Sequence, residues 1–215
     1  MRLRTPVLIA SALVGLAVPV AACSSSTDHS GMNMSGGSMS SSSTATIPAN
    51  ANFNATDVGF AQGMIPHHAQ AVEMADMALA NTKNSDVLSL ARQIKAAQSP
   101  EIEKMTSWLK SWGQPVPSTA MGSMSGHDMS GMDNMMMDGM MSQADMDRLS
   151  TSTGTAFDRL WIELMIQHHE GAVKMAKTEV AGGKNPDAKA LAQSIITGQQ
   201  AEITTMQSLL TKVPA

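Results

Sequence analysis

The stretch DVGFAQGMIPHHAQAVEMA at residues 57–75 returns, in altered form, as DRLWIELMIQHHEGAVKMA at residues 158–176. Both copies contain Met-Ile-x-His-His followed by Ala-Val-x-Met-Ala, and equivalent positions are 101 residues apart throughout. Four of the chain's 6 histidines lie in these two copies. Apolar residues recur in each copy at steps of three and four, which predicts an amphipathic helix with both histidines on or beside its buried face.

The segments that follow the two copies also match at this spacing and predict a second helix in each half. The matching residues are Leu90, Ala91, Ile94, Gln98, Glu101, Ile102, Met105 and Leu109 in the first half, and Leu191, Ala192, Ile195, Gln199, Glu202, Ile203, Met206 and Leu210 in the second. A hairpin of about 55 residues is too small to bury its apolar face alone. The duplication therefore predicts an all-α, antiparallel four-helix bundle with one shared core. A pseudo-twofold axis would relate the two histidine pairs, so that they can face each other.

Composition divides the chain of 215 residues into five parts. We predict a signal peptide (1–22), a Ser/Gly/Met-rich tether (23–51), a first hairpin (52–113), a Met-rich linker (114–141) and a second hairpin (142–212), with the two hairpins forming one domain. Capping signals predict a first helix from Thr56 or Asp57 to about Ala80, a second capped by Ser85, a short helix at 143–149, a long one at 155–180 and a last one after Asn185-Pro186.

The N-terminus is typical of a targeting segment. Arg2 and Arg4 precede a short apolar run at 7–20, and the following Val20-Ala21-Ala22-Cys23 resembles the lipobox of bacterial lipoproteins. This resemblance implies that Cys23 is lipidated and anchors the mature protein to a membrane, in the cell envelope outside the cytoplasmic membrane. The alternative is an ordinary signal peptide or weak membrane anchor with an incidental cysteine. Cys23 is the only cysteine, so the chain has no internal disulfide.

Thioether and imidazole groups on one helix indicate a soft or borderline metal, and Cu(I) is favoured over Mg²⁺ or Ca²⁺. Successive helical residues are about 100° apart, so His67 and His68 cannot point the same way. A site of three or four ligands must also draw on a neighbouring helix. The candidate ligands are Met64, His67, His68, Met74, Glu101, Met105, Met165, His168, His169, Met175, Glu202 and Met206. Buried methionine also serves as core filler, which is the structural alternative for each sulfur.

The Met-rich linker predicts a second metal site. The chain has 21 methionines, far more than its length requires, and many of them crowd the linker. The candidate ligands there are Met121, Met124, His127, Met129, Met132 and Met135. Their spacing resembles the methionine motifs of copper-handling proteins in oxidising compartments. Low-complexity drift in a linker is the alternative.

The motifs together resemble a known family. They are Met64-Ile65-Pro66-His67-His68 with Ala71-Val72-x-Met74-Ala75, then Gln98-x-x-Glu101-Ile102-x-x-Met105, and a similar set in the second copy. This pattern is similar to the "domain of unknown function 305" family. The resemblance covers about residues 52–212 and implies a ferritin-like bundle that is exported and associated with copper binding or tolerance. The two copies differ where Ala69-Gln70 stands against Glu170-Gly171.

Several functions are disfavoured by the sequence. The formal charge of −4, without a basic patch, gives no reason to expect nucleic-acid binding. Di-iron oxidases on such bundles use Glu-x-x-His pairs, and no glutamate precedes a histidine by three residues here. We therefore expect a copper-binding protein that sequesters Cu(I) or passes it to copper-handling envelope proteins, and not an enzyme. The alternatives are a metal-free envelope scaffold and, less favoured, a ferritin-like metal oxidase.

Overall fold

The computed structural model describes residues 46–119 and 138–214, and all regular structure within them is helical. The helices are α1 (Ala55–Asn81), α2 (Ser85–Ser111), α3 (Gln143–Thr151), α4 (Gly154–Gly182) and α5 (Pro186–Leu210). The predicted all-α fold is confirmed. In these two ranges no helix is long and apolar enough to cross a membrane. The signal peptide, the lipidation site Cys23, the tether as far as residue 45 and the linker residues 120–137 lie outside the described residues.

Asparagine caps start three of the four long helices. The Asn54 side chain accepts from the amides of Thr56 and Asp57, and the Asp57 carboxylate accepts from the Asn54 amide in return, which completes a capping box. Asn84 caps α2 and Asn185 caps α5 in the same way, each accepting two amides. The expectation that Ser85 caps α2 was therefore one residue off, because the Asn84 side chain reaches the orphan amides and Ser85 is already helical.

The four long helices form a bundle of two antiparallel hairpins. Helix α1 packs along α2 and helix α4 along α5, and the hairpins join chiefly through α1 and α4, whereas α2 meets α5 much less. The start of α1 lies beside the end of α4, since the Asn54 side-chain amide donates to the Gly182 carbonyl at 2.9 Å. Helices α1 and α4 therefore run antiparallel, as the predicted pseudo-twofold axis requires.

The core is divided into two apolar clusters along the bundle. Cluster A surrounds the start of α1 and contains Phe60, Met64, Ile65, Met105, Ala172 and Ile195 among others. Cluster B surrounds the end of α1 and contains Ala71, Met74, Trp161, Met165 and Met206 among others. On α1 the histidines fall between Ile65 and Ala71, and on α4 they fall between Met165 and Ala172. They therefore form a polar layer between the two clusters.

The end of the linker is fixed to the bundle where the two copies differ. The side-chain amide of Gln70 makes two hydrogen bonds to the Met141 backbone. Its Nε2 donates to the carbonyl at 2.9 Å, and its Oε1 accepts from the amide at 2.7 Å. At the equivalent position on α4, Gly171 leaves room for the linker backbone. A Cβ on Gly171 would lie 2.1 Å from the Asp138 carbonyl oxygen. The departures Gln70 and Gly171 are thus explained by the end of the linker, where Asp138 to Met141 pack against these two positions.

Candidate metal centre

The histidine pair at the centre of the bundle is formed by one ring from each half. His67 on α1 and His168 on α4 have ring centroids 3.8 Å apart and planes tilted by 45°. Neither side chain is exposed to solvent. None of their four ring nitrogens makes a hydrogen bond within the described part of the chain. The antiparallel α1–α4 contact across the pseudo-twofold axis brings these two equivalent residues together.

The other two histidines turn toward the outer helices. His68 Nε2 lies 2.8 Å from Glu101 Oε2 on α2, and His169 Nε2 lies 2.8 Å from Glu202 Oε2 on α5. Because an ionised carboxylate only accepts, the ring hydrogen sits on Nε2 and the lone pair is left on Nδ1. Both Nδ1 atoms are buried and have no hydrogen-bond partner among the residues that the structure describes. Carboxylate pairing of this kind fixes the orientation and raises the basicity of metal-binding imidazoles.

The central imidazoles are held neutral. Burial lowers the pKa of His67 to about 3, with the nearby His68 and His169 adding to the effect. The Asp138 backbone opposes this shift weakly, without completing a hydrogen bond. Burial also holds the pKa of His168 well below its usual range, and His67 is the next largest cause. Metal ligation needs the neutral ring, so burial in the fold favours the form of both imidazoles that can bind a metal.

The candidate methionines divide between the two clusters. Met64 and Met105 belong to cluster A, and Met74, Met165 and Met206 belong to cluster B, all of them fully buried. Met175 is only partly buried and packs against cluster A. Met64 lies one helical turn before the histidines, whereas Met74 lies in the other cluster, on the far side of the histidine layer. Each side of the histidine layer therefore holds buried thioethers.

Two further buried polar residues were not among the predicted ligands. Gln98 on α2 and Gln199 on α5 are equivalent positions, and both are buried. In the described part of the chain, the side-chain nitrogen and oxygen of Gln98 have no hydrogen-bond partner, and neither does the side-chain oxygen of Gln199. Each lies one turn before the glutamate that holds a histidine. Their repetition on an otherwise apolar face was visible in the sequence and could have identified them.

The donor set fits a soft metal better than a hard one. Among residues 46–119 and 138–214, no three His, Cys, Asp or Glu side chains are grouped closely enough to hold an ion together. The other donor groups buried on either side of the histidine layer are methionine thioethers. Imidazole with thioether is a donor set for Cu(I), whereas Mg²⁺ and Ca²⁺ require oxygen. The six linker candidates, from Met121 to Met135, lie outside the described residues.

The chain belongs to the family described as "Domain of unknown function (DUF305)", whose model matches residues 57–210. The family predicted from the motifs is thereby confirmed. No curated protein matches the chain.

Solved structures with the same fold include a putative secreted DUF305 protein from Streptomyces coelicolor. It is 35% identical, with a TM-score of 0.65, over 73% of this chain and 93% of that one. A DUF305 fragment from Deinococcus radiodurans is 32% identical, with a TM-score of 0.63, over 74% and 97%. CopM in its Cu(I)-bound form is 33% identical, with a TM-score of 0.58, over 73% and 96%.

Proposed function

We propose that this protein binds copper as Cu(I) in the core of its bundle, through the four histidines of the layer, His67, His68, His168 and His169, together with buried methionine sulfur. Copper is the cargo, which the protein sequesters or passes on. The similarity to CopM, whose structures are described as Cu(I)-bound and Cu(II)-bound, supports the choice of metal. The donor set supports it independently, because thioethers favour Cu(I).

The observation that carries this proposal is the set of unpartnered ring nitrogens. Within the described ranges 46–119 and 138–214, six of them are buried without a hydrogen bond: both nitrogens of His67 and His168, and Nδ1 of His68 and His169. Leaving a buried polar atom unsatisfied costs about 1–3 kcal/mol. A metal-free scaffold would gain stability by replacing such residues with apolar ones. Lone pairs held toward one layer of the bundle are instead what a ligand site provides.

The carboxylate pairs support a binding role and not an oxidase role. Glu101 and Glu202 each hold a histidine at 2.8 Å, so one oxygen of each is already engaged. Di-iron oxidases need several free carboxylates bridging two ions, with glutamate three residues before histidine. In this chain the candidate donor groups are mainly imidazole and thioether, with few carboxylates. We therefore propose a binding protein without enzymatic activity.

The proposed location is the cell envelope, with the mature protein tethered by lipid on Cys23. The lipobox-like Val20-Ala21-Ala22-Cys23 supports this, as does the description of the Streptomyces coelicolor relative as a putative secreted protein. Thioether ligands suit such a compartment because they do not form disulfides. Its partners would be the membrane and copper-handling envelope proteins that deliver or receive the ion.

Titration of the purified mature protein with Cu(I), Zn²⁺ and Fe²⁺ against a competing chelator tests the proposal. We expect Cu(I) to bind most tightly and the double variant His67→Leu/His168→Leu to lose the tight site. Retention of that site in the double variant would contradict core binding and would assign the copper to the Met-rich linker. Deletion of residues 120–137 is the reciprocal control, since the core site should survive it.

A further inference from the structure

The two ends of the bundle close in different ways although the repeats are equivalent. At the end where α4 starts, the Asp158 carboxylate accepts a short hydrogen bond from the Thr82 hydroxyl. Thr82 caps the end of α1 in extended conformation, and its amide donates to the Ala78 carbonyl at 3.1 Å. This arrangement ties the end of α1 to the start of α4.

At the other end the equivalent residues are Asp57, Glu179 and Gly183. Gly183 caps α4 with φ −64° and ψ 153°, close to the −95° and 155° of Thr82. Its amide donates to the Glu179 carbonyl at 2.8 Å, just as that of Thr82 donates to Ala78. The backbone is therefore the same at both ends, but the hydroxyl is missing because position 183 is glycine.

The Glu179 carboxyl group occupies the space of the missing hydroxyl. A Cβ on Gly183 would lie 2.1 Å from Glu179 Oε1, so a threonine side chain and this carboxyl group exclude each other. Glu179 has no exposed surface, and within the described residues no N–H or O–H donor reaches either of its oxygens. Ala78, its counterpart, leaves that space free for Thr82. The pair Glu179 and Gly183 thus replaces the pair Ala78 and Thr82.

Asp57 has no hydrogen to offer Glu179. Its carboxylate accepts from the Asn54 amide at 2.6 Å, from the Lys184 amide at 3.1 Å and from the Asn185 amide at 2.9 Å. Those contacts join the start of α1 to the α4–α5 turn. Any hydrogen bond between the two carboxyl groups must therefore use a hydrogen carried by Glu179.

The charged groups around Glu179 come from each element packed there. The carboxylate of Asp57 on α1 has the same charge as an ionised Glu179 and disfavours that form. Lys189 on α5 is a cation and favours the ionised form. The Lys184 ammonium, from the α4–α5 turn, is engaged by the Ala51 carbonyl oxygen. One partial counter-charge leaves the ionised form of Glu179 poorly compensated in a buried site.

We propose that Glu179 is held as a neutral carboxylic acid whose O–H donates to Asp57, forming a proton-dependent latch that closes this end of the bundle. The latch takes the place of the Thr82 hydroxyl at the opposite end, which does not titrate. Loss of the proton sets two carboxylates against each other and loosens the start of α1 from the α4–α5 turn. The latch is independent of copper binding.

The shifted acidity of Glu179 agrees with this geometry. Burial raises the pKa of Glu179 to about 8, from an ordinary 4.5, and Asp57 is the next cause. Between about pH 4.5 and pH 8, Glu179 therefore keeps its proton in the folded state but has lost it in the unfolded state. The stabilising contribution is complete below about pH 4.5, falls as the pH rises toward 8, and is absent above it.

Carbon-13 NMR of the Glu179 side-chain carboxyl in the full mature protein tests the proposal directly. We expect its titration midpoint near 8, together with a loss of hydrogen-exchange protection at the Lys184 and Asn185 amides over the same pH range. A midpoint near the ordinary value of 4.5 would overturn the proposal. This measurement needs no variant and so does not depend on a mutant that folds.

Two variants separate the proton from the packing. Glu179→Gln keeps the shape and a donor but cannot ionise, and Glu179→Ala/Gly183→Thr copies the Ala78 and Thr82 arrangement of the other end. In both we expect the fall in melting temperature between pH 5 and pH 9 to become smaller than in the wild type. The same pH slope in all three proteins would overturn the proposal. Copper affinity at pH 7 should remain within about twofold in both variants, since neither residue borders the histidine layer.

Discussion

Glu101 and Glu202 decide, at the scale of single residues, what their histidines can bind. Each carboxylate accepts a hydrogen bond from one imidazole, with 2.8 Å between Nε2 and Oε2. The Nε2 atom therefore carries the ring hydrogen, and the lone pair is on the buried Nδ1. Both carboxylates retain about one-fifth of their side-chain exposure (19%), so they remain hydrated while the rings are fully buried. They were predicted as ligands, and the structure places them as partners of His68 and His169.

Changing Glu101 to glutamine should weaken Cu(I) binding about 10- to 100-fold, because partners of this kind tune ligand basicity and orientation. Competition titration of purified protein measures the change. Glu103→Gln on the same helix is the matched control, since Glu103 is exposed and should leave affinity unaltered. Equal affinities for the two variants would show that the Glu101–His68 pair has no part in binding.

The buried state of His67 predicts that acid destabilises the metal-free protein. Its folded pKa of about 3 lies below the ordinary 6.5, so the unfolded state takes up a proton first as the pH falls. Stability from this residue is complete above about pH 6.5 and is lost steadily toward pH 3. Between pH 7 and pH 5 the loss in the free energy of unfolding is about 2 kcal/mol. Urea unfolding of wild type and His67→Phe at both values measures it, and an undiminished loss in the variant would contradict the assignment.

Residue-level prediction from the sequence succeeded where the duplication was informative. The spacing of 101 residues related His67 to His168, and helical geometry required His68 to point elsewhere. Glu179 was missed because a lone charged residue near a helix end normally faces solvent. The mismatch of Glu179 with Ala78 and of Gly183 with Thr82 was the available signal, and its meaning depends on a contact that only the folded chain shows.

At the scale of the elements, the returning linker makes two similar hairpins unequal. Gln70 holds the Met141 backbone on α1, and Gly171 leaves room for Asp138 and Gly139 on α4. Helix periodicity predicted both ends of α1 and of α4 to within two residues, since their apolar stripes are long and regular. It did not predict where the linker returns, because that contact uses a backbone and a missing side chain.

Gly171→Ala should destabilise the protein by about 1–3 kcal/mol, because a Cβ would overlap the Asp138 carbonyl at 2.1 Å and force the linker end away. Gly198→Ala is the matched control on α5. Nothing lies within 4 Å of the added atom there, so the better helix propensity of alanine should stabilise the protein by roughly 0.5–1 kcal/mol. Chemical denaturation distinguishes the two, and a stabilising Gly171→Ala would contradict the close approach of the linker.

At the scale of the whole molecule, the histidine layer needs both halves. Each hairpin supplies one central imidazole and one carboxylate-held imidazole, and each of the apolar clusters on either side takes residues from both hairpins. The stability of the bundle and the geometry of the histidine layer therefore come from the same interface between α1 and α4. The sequence predicted this coupling through the duplication alone, without evidence for the metal.

Neither hairpin should fold by itself. A peptide of residues 46–119 exposes the α1 face that normally meets α4, and about 70 residues with half a core fall below what a stable domain needs. We expect circular dichroism to show little cooperative helix for this peptide or for residues 138–214, and an equimolar mixture to recover a cooperative melt. Cu(I) should raise the melting temperature of the mixture, because binding only the assembled state stabilises it by mass action. A cooperative melt from one peptide alone would show that the shared core is not what holds the histidine layer together.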